Sequence, residues 1–128
     1  MKDALLRVGE WKSNVKKLYA DIRDWVGPDT FVREETIALN EERSGRYEIS
    51  KLILARGDKK TSVEPVATWV VGADGRVKIK TMDGSYTLLF FKERTGGIWK
   101  YWDRDKIPPL KLLTKELFLY LIEDFMND

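Results

Sequence analysis

Residues 76–91 read RVKIKTMDGSYTLLFF, and the alternation of residue types in this stretch decides the fold class. Apolar and polar side chains alternate on both sides of Asp83-Gly84. That is the period-two pattern of strands with one buried face, joined by the strongest short signal for a hairpin. A type I′ turn centred on Asp83-Gly84 sets Thr81 opposite Tyr86, Ile79 opposite Leu88 and Val77 opposite Phe90, which gathers apolar side chains on one face. The other face then pairs Lys80 with Thr87, Lys78 with Leu89 and Arg76 with Phe91. Carried back through a second Asp-Gly, Asp74-Gly75, the register brings Trp69 beside Lys80 and Val71 beside Lys78.

Working outward, the chain from Phe31 to Asp103 is a succession of short β-rich runs divided by turn residues, the sequence form of an antiparallel meander. Six strands are expected: Val32–Asn40, Arg46–Ala55, Ser62–Val71, Arg76–Met82, Tyr86–Lys92 and Ile98–Trp102. The turns fall at Ser44-Gly45, Gly57-Asp58, Asp74-Gly75, Asp83-Gly84 and Thr95-Gly96-Gly97. Pro65 has no N–H to give to a ladder, so the third strand should bulge, bend or form an edge there.

Helices flank the sheet. Ala4, Val8, Trp11, Val15, Leu18, Ile22 and Trp25 recur at alternating spacings of four and three, one stripe of an α-helix widened by Leu5, Tyr19 and Val26. Asp3 can cap its start and Gly27-Pro28 stops it. The stripe is expected to pack on the sheet, with a helical homodimer as the alternative. After Pro108-Pro109, Thr114 is a plausible N-cap for a last helix over Lys115–Met126, whose apolar face spans about 200° of the helical wheel. A face so wide suits burial in the concave side of a curved sheet. The fold class is thus α+β: an N-terminal helix, a curved antiparallel meander of about six strands and a C-terminal helix packed on it. A barrel-like sheet capped by the last helix is the alternative. At 128 residues, one domain over 1–128 is the expectation.

Composition narrows the chemistry. The 23 Lys and Arg nearly balance the 21 Asp and Glu, so the mean field pulls little toward nucleic acid or an anionic membrane. No apolar run approaches the about 18 residues of a membrane span, and no signal-peptide pattern opens the chain. With no cysteine there is no disulfide framework and no thiolate chemistry, in keeping with a cytoplasmic location. With no histidine, the commonest general base near neutral pH and the Ser-His pairs are missing too. Pro28-Asp29 and Asp58-Lys59-Lys60 carry the letters of a metal-dependent nuclease site. That chemistry needs rigid strands, however, and these residues fall in turns. No catalytic group, metal site or cofactor is implied, and a non-enzymatic binding role is expected.

The hairpin's second face is the feature that points to binding. It interleaves Trp69, Val71, Leu89 and Phe91 with Arg76, Lys78 and Lys80, and the last strand adds Trp99, Lys100, Tyr101 and Trp102. If one helix covers each side of the sheet, cation stems lie over these aromatics as part of the packing. If the face is open, Trp69, Arg76, Lys78, Lys80, Phe91, Trp99, Tyr101 and Trp102 form a surface for a protein partner, since Trp, Tyr and Arg are the types enriched in hot spots. The same residues suit single-stranded nucleic acid, which needs rings to stack bases and cations for phosphates. A third reading is a pocket for an apolar small molecule between the sheet and the C-terminal helix.

Overall fold

Lys2–Val26 form α1 in the computed structural model, which describes residues 2–126. The expected stripe is the buried one: Val8, Trp11, Val15, Leu18, Tyr19, Ile22 and Val26 lie in the core, whereas Leu5 is 72% exposed. Asp3 lies inside the first turn rather than before it, where a carboxylate suits the positive end of the helix dipole. Gly27 ends the helix at φ +76°, a conformation that residues with a Cβ avoid.

Seven strands follow as a meander, each antiparallel to the next: β1 (Phe31–Glu41), β2 (Gly45–Arg56), β3 (Lys59–Ala67), β4 (Gly75–Thr81), β5 (Gly84–Glu93), β6 (Gly96–Trp102) and β7 (Leu110–Leu112). The sheet is open, with β1 and β7 at its edges. The seventh strand was hidden by Pro108-Pro109, which end the irregular segment before it rather than the sheet. Pro65 does mark a bulge, since the β3–β4 register shifts between Pro65 and Ala67 and leaves Val66 as the extra residue. Beyond Ala67 the chain leaves the ladder. Trp69 and Val71 lie in the connection to β4, and Ser62 and Glu64 take the places beside Lys80 and Lys78.

The central hairpin pairs Ile79 with Tyr86 and Val77 with Leu88, two residues away from the expected register. Among the described residues none other than glycine has positive φ, so a type I′ turn with Asp83 at its first central position does not form. Instead Met82-Asp83 make the loop, Thr81 pairs with Gly84, and the Thr81 hydroxyl accepts from the Asp83 N–H at 3.2 Å. Because the slip is an even number of residues, every side chain keeps its expected face.

Both helical ends pack on one face of the sheet, here called inner. Its cross-strand rows run Leu52–Val63–Ile79–Tyr86, Pro65–Val77–Leu88–Tyr101 and Gly75–Phe90–Trp99. The arrangement of one helix per face is therefore corrected. α1 and the C-terminal α2 (Lys115–Leu121) and α3 (Glu123–Met126) share a single core, and Trp25 packs against Phe118 with ring centroids 5.6 Å apart and the rings tilted by 46°. Thr114 caps α2 by accepting from the Leu117 N–H at 3.1 Å. The single last helix expected from the sequence is broken at Ile122, which leaves helical geometry at φ −110°, ψ 26°. The bend lets both segments of a wide apolar face reach the core, with Phe118, Leu121, Ile122 and Phe125 all buried.

The β1–β2 hairpin reaches beyond the end of its pairing with β3 and changes its buried side on the way. Tyr47 and Ile49 are buried near the tip, Leu52 and Leu54 near the base, while the pairing with β1 continues unbroken. A ribbon paired on one side only twists more strongly than a strand held on both. The crossover lies where Tyr19 of α1 donates its hydroxyl to the carbonyls of Ser50 (2.7 Å) and Val63 (3.2 Å). Burial pushes this phenol far above its ordinary pKa, so it stays a donor.

Candidate interaction surface

The outer face carries no helix among the described residues, and its two halves differ in kind. Over β1–β3 it is mostly polar with matched charges, apart from Phe31 at the start of β1, which is 70% exposed. Glu35 meets Arg33 at 3.2 Å and Lys51 at 3.8 Å, and Glu64 meets Lys80 at 3.5 Å and the Ser62 hydroxyl at 2.7 Å. Burial opposes ionisation of Glu64, but Ser62, Lys80 and Lys51 outweigh it and hold the carboxyl below its ordinary pKa. Ile53 lies beneath these chains, 8% exposed. This is how a sheet face that meets water is ordinarily finished.

Over β4–β7 the finish is different. One cross-strand row runs Lys78–Thr87–Trp102–Leu110, the next Arg76–Leu89–Lys100–Leu112, and Phe91 pairs with Ile98 beyond them. Six of these ten residues are apolar, and no element among the described residues covers them. Trp102 is 39% exposed and Leu112 56%. Arg76, Lys78 and Lys100 form no ion pair among the described residues. The Arg76 Nε is buried without a hydrogen-bond partner, and the Lys100 ammonium lies 5.5 Å from the centre of the Phe91 ring.

The structure thus brings together Arg76, Lys78, Phe91 and Trp102, with Lys80 at the border but engaged by Glu64. It does not bring the other sequence-selected residues to them. Trp99 and Tyr101 point to the inner face. Trp99 packs against Phe90 and Trp11 with centroids 5.0 and 5.9 Å apart, and Tyr101 meets Tyr86 edge-on. Trp69 sits apart, in the β3–β4 connection, with the guanidinium of Arg7 3.5 Å and that of Arg43 4.8 Å from its ring centre. Glu41 at the hairpin tip holds that connection, accepting from the backbone N–H of Thr68 at 3.0 Å and of Trp69 at 3.2 Å, and from the Tyr47 hydroxyl. Ile98, Leu110 and Leu112 were missed. Alternation around Lys100 was enough to place Ile98 beside Trp102, whereas Leu110 and Leu112 needed β7.

No helix among the described residues is long and apolar enough to cross a membrane. No protein-family model, curated protein or solved structure matches the chain.

Proposed function

We propose that this protein is a non-catalytic interaction module that uses the outer face of β4–β7 to bind an acidic, amphipathic segment of a partner protein. The observation that carries this reading is the row structure of that face: apolar side chains that no described element covers, set among three cations that form no ion pair among the described residues. Unpaired cations beside apolar surface suit an apolar stripe bordered by Asp or Glu. Four strands spaced by about 4.8 Å and five residues rising by about 3.3 Å each give a plan area near 300 Å², well short of the roughly 800 Å² per side of a standard globular interface. Such an area matches one helix or one extended segment, about 10 Å across. Aliphatic Leu89, Ile98, Leu110 and Leu112 outnumber the aromatic Phe91 and Trp102, and aliphatic side chains add area for a protein but do not stack bases. A reducing compartment such as the cytoplasm fits the absence of cysteine.

The test is affinity capture from native cells with the wild-type chain and with Trp102→Ala and Leu112→Glu, each with and without nuclease. Both substitutions sit outside the core, at positions 39% and 56% exposed, and should leave the fold intact, with Trp102→Ala the more costly of the two. Loss of a central interface residue should weaken capture at least about 30-fold. A nuclease-resistant protein lost in both variants supports the reading. Recovery of nucleic acid alone, or of a protein that both variants retain, overturns it.

A further inference from the structure

At the end of the inner face nearest the C-terminus, the core gives way to a cavity of about 510 Å³ between the sheet and α2–α3. Tyr86 of β5, Tyr101 of β6 and Tyr120 of α2 line it. The first two rings meet edge-on, centroids 6.0 Å apart at 76°, and pack against the core from one side. The Tyr120 side stands open, 65% exposed. No hydroxyl of the three has a hydrogen-bond partner among the described residues, and all three phenols border one space.

The rest of the wall carries charge. Asp83, Asp103, Glu123 and Asp124 contribute four carboxylates, and none forms an ion pair among the described residues. Asp103 is held in place, because its Oδ1 accepts from the Asp105 N–H at 3.1 Å and its own N–H donates to the Pro109 carbonyl at 2.8 Å. Lys106 and Lys111 stand in the same wall, and Lys59 donates to the Asp124 backbone carbonyl at 3.0 Å; the three cations offset only part of this charge. Burial first, then Asp103 and the neighbouring Tyr86 and Tyr120, pushes the Tyr101 hydroxyl above its ordinary pKa, so it stays protonated and neutral beside these carboxylates.

Electron-rich ring faces with a negative surround attract cations, and the preferred guest is a weakly hydrated organic cation that can shed water and touch the rings. A small metal ion is a poor match: among the described residues no three carboxylates are grouped to hold one, and the volume is that of a small-molecule site. We propose that this cavity binds an alkylammonium group through Tyr86, Tyr101 and Tyr120, with Asp103, Glu123 and Asp124 supplying the counter-charge. The group comes either from a free small molecule or from a methylated lysine side chain. The proposal is independent of the outer face.

Binding is measured by NMR titration of the full chain with choline and with 3,3-dimethylbutan-1-ol, which has the same shape without the charge. Choline should bind about tenfold more tightly than the neutral alcohol, with shifts confined to the residues around Tyr101. Tyr120→Ala, at an exposed site that leaves the fold intact, should weaken choline about fivefold, and Lys111→Ala should strengthen it. A peptide bearing trimethyl-lysine separates the sources: tighter binding than choline assigns the guest to a protein side chain, and equal or weaker binding to a free molecule. Equal affinity for choline and the alcohol, no response to choline, or a Tyr120→Ala variant that binds choline as the wild type does would overturn the proposal.

Discussion

Replacing Gly75 by alanine should be among the most destabilising single-methyl additions in this chain. Gly75 opens β4 on the inner face, directly under the indole of Trp11. A Cβ built there meets Trp11 Cζ3 at 2.2 Å, Cε3 at 2.7 Å and Cη2 at 2.8 Å. Carbon atoms settle at about 3.5 Å or more, so the indole must retreat by about 1.3 Å. It has no room, being 2% exposed and stacked on Trp99. Overpacking of this kind costs about 1–3 kcal/mol, and disturbing the Trp11–Trp99 contact adds about 1 kcal/mol. Alanine recovers about 0.5 kcal/mol by restricting the unfolded chain, since Gly75 is not at positive φ. The net loss is about 1.5–3.5 kcal/mol, a drop in Tm of about 5–13 °C for a domain of this size. Urea denaturation followed by circular dichroism measures it, with Trp11→Leu as the second arm of a cycle. In the Trp11→Leu background the clash is gone, so Gly75→Ala should become neutral and the coupling should reach about 2 kcal/mol. A cost below about 0.5 kcal/mol in the wild type, or additive effects in the cycle, would refute the close-approach account.

Two further outcomes follow from the polar contacts. Glu41→Ala leaves the Thr68 and Trp69 N–H groups and the Tyr47 hydroxyl without their acceptor. It should cost about 2–4 kcal/mol, with faster amide exchange at Thr68 and Trp69 as the local signature, and unchanged exchange there would argue against the clip. Glu64 has a folded-state pKa below its ordinary 4.5, so its contribution is complete above that value and is lost as pH falls through the folded one. Between the wild type and Glu64→Gln, the difference in stability should therefore shrink as pH is lowered below 4.5. A difference that stays constant over this range would show that the ion pair contributes nothing.

The central hairpin shows which parts of the fold were legible in the sequence. Face assignment depends only on parity, so it survived a turn assigned to the wrong pair of residues. Val77, Ile79, Leu88 and Phe90 are buried as the alternation requires. Turn type depends on backbone angles that Asp-Gly favours without enforcing, and at residues 82–84 the cross-strand packing selected a different loop. At Asp74-Gly75 the same dipeptide has another role. The glycine makes room for Trp11, while Asp74 accepts from the Lys92 N–H at 2.8 Å. A close approach between residues so far apart along the chain leaves no local signature. The same limit hid Trp69, whose neighbours Arg7 and Arg43 come from α1 and the β1–β2 tip.

Parity also sorts the aromatic residues of β6, and it bears on function. Trp99 and Tyr101 alternate with Lys100 and Trp102, so one strand supplies both a core contact and a surface. The first pair is accounted for by packing on Trp11, Phe90 and Tyr86. No inner contact accounts for the second pair or for Leu112, and the β1–β3 half of the same face serves as an internal comparison. Both halves share one sheet and one solvent, yet Glu35 and Glu64 each meet cations in the first, while Arg76, Lys78 and Lys100 meet none of the described carboxylates in the second. If the fold alone governed the outer face, the two halves would be finished alike. Exposed apolar side chains on an open sheet raise the risk of aggregation and add little to a core they do not touch. A partner segment that covers Leu112 and Trp102 and neutralises the three cations accounts for both departures at once, and neither substitution in the capture experiment disturbs the inner rows on which the fold depends.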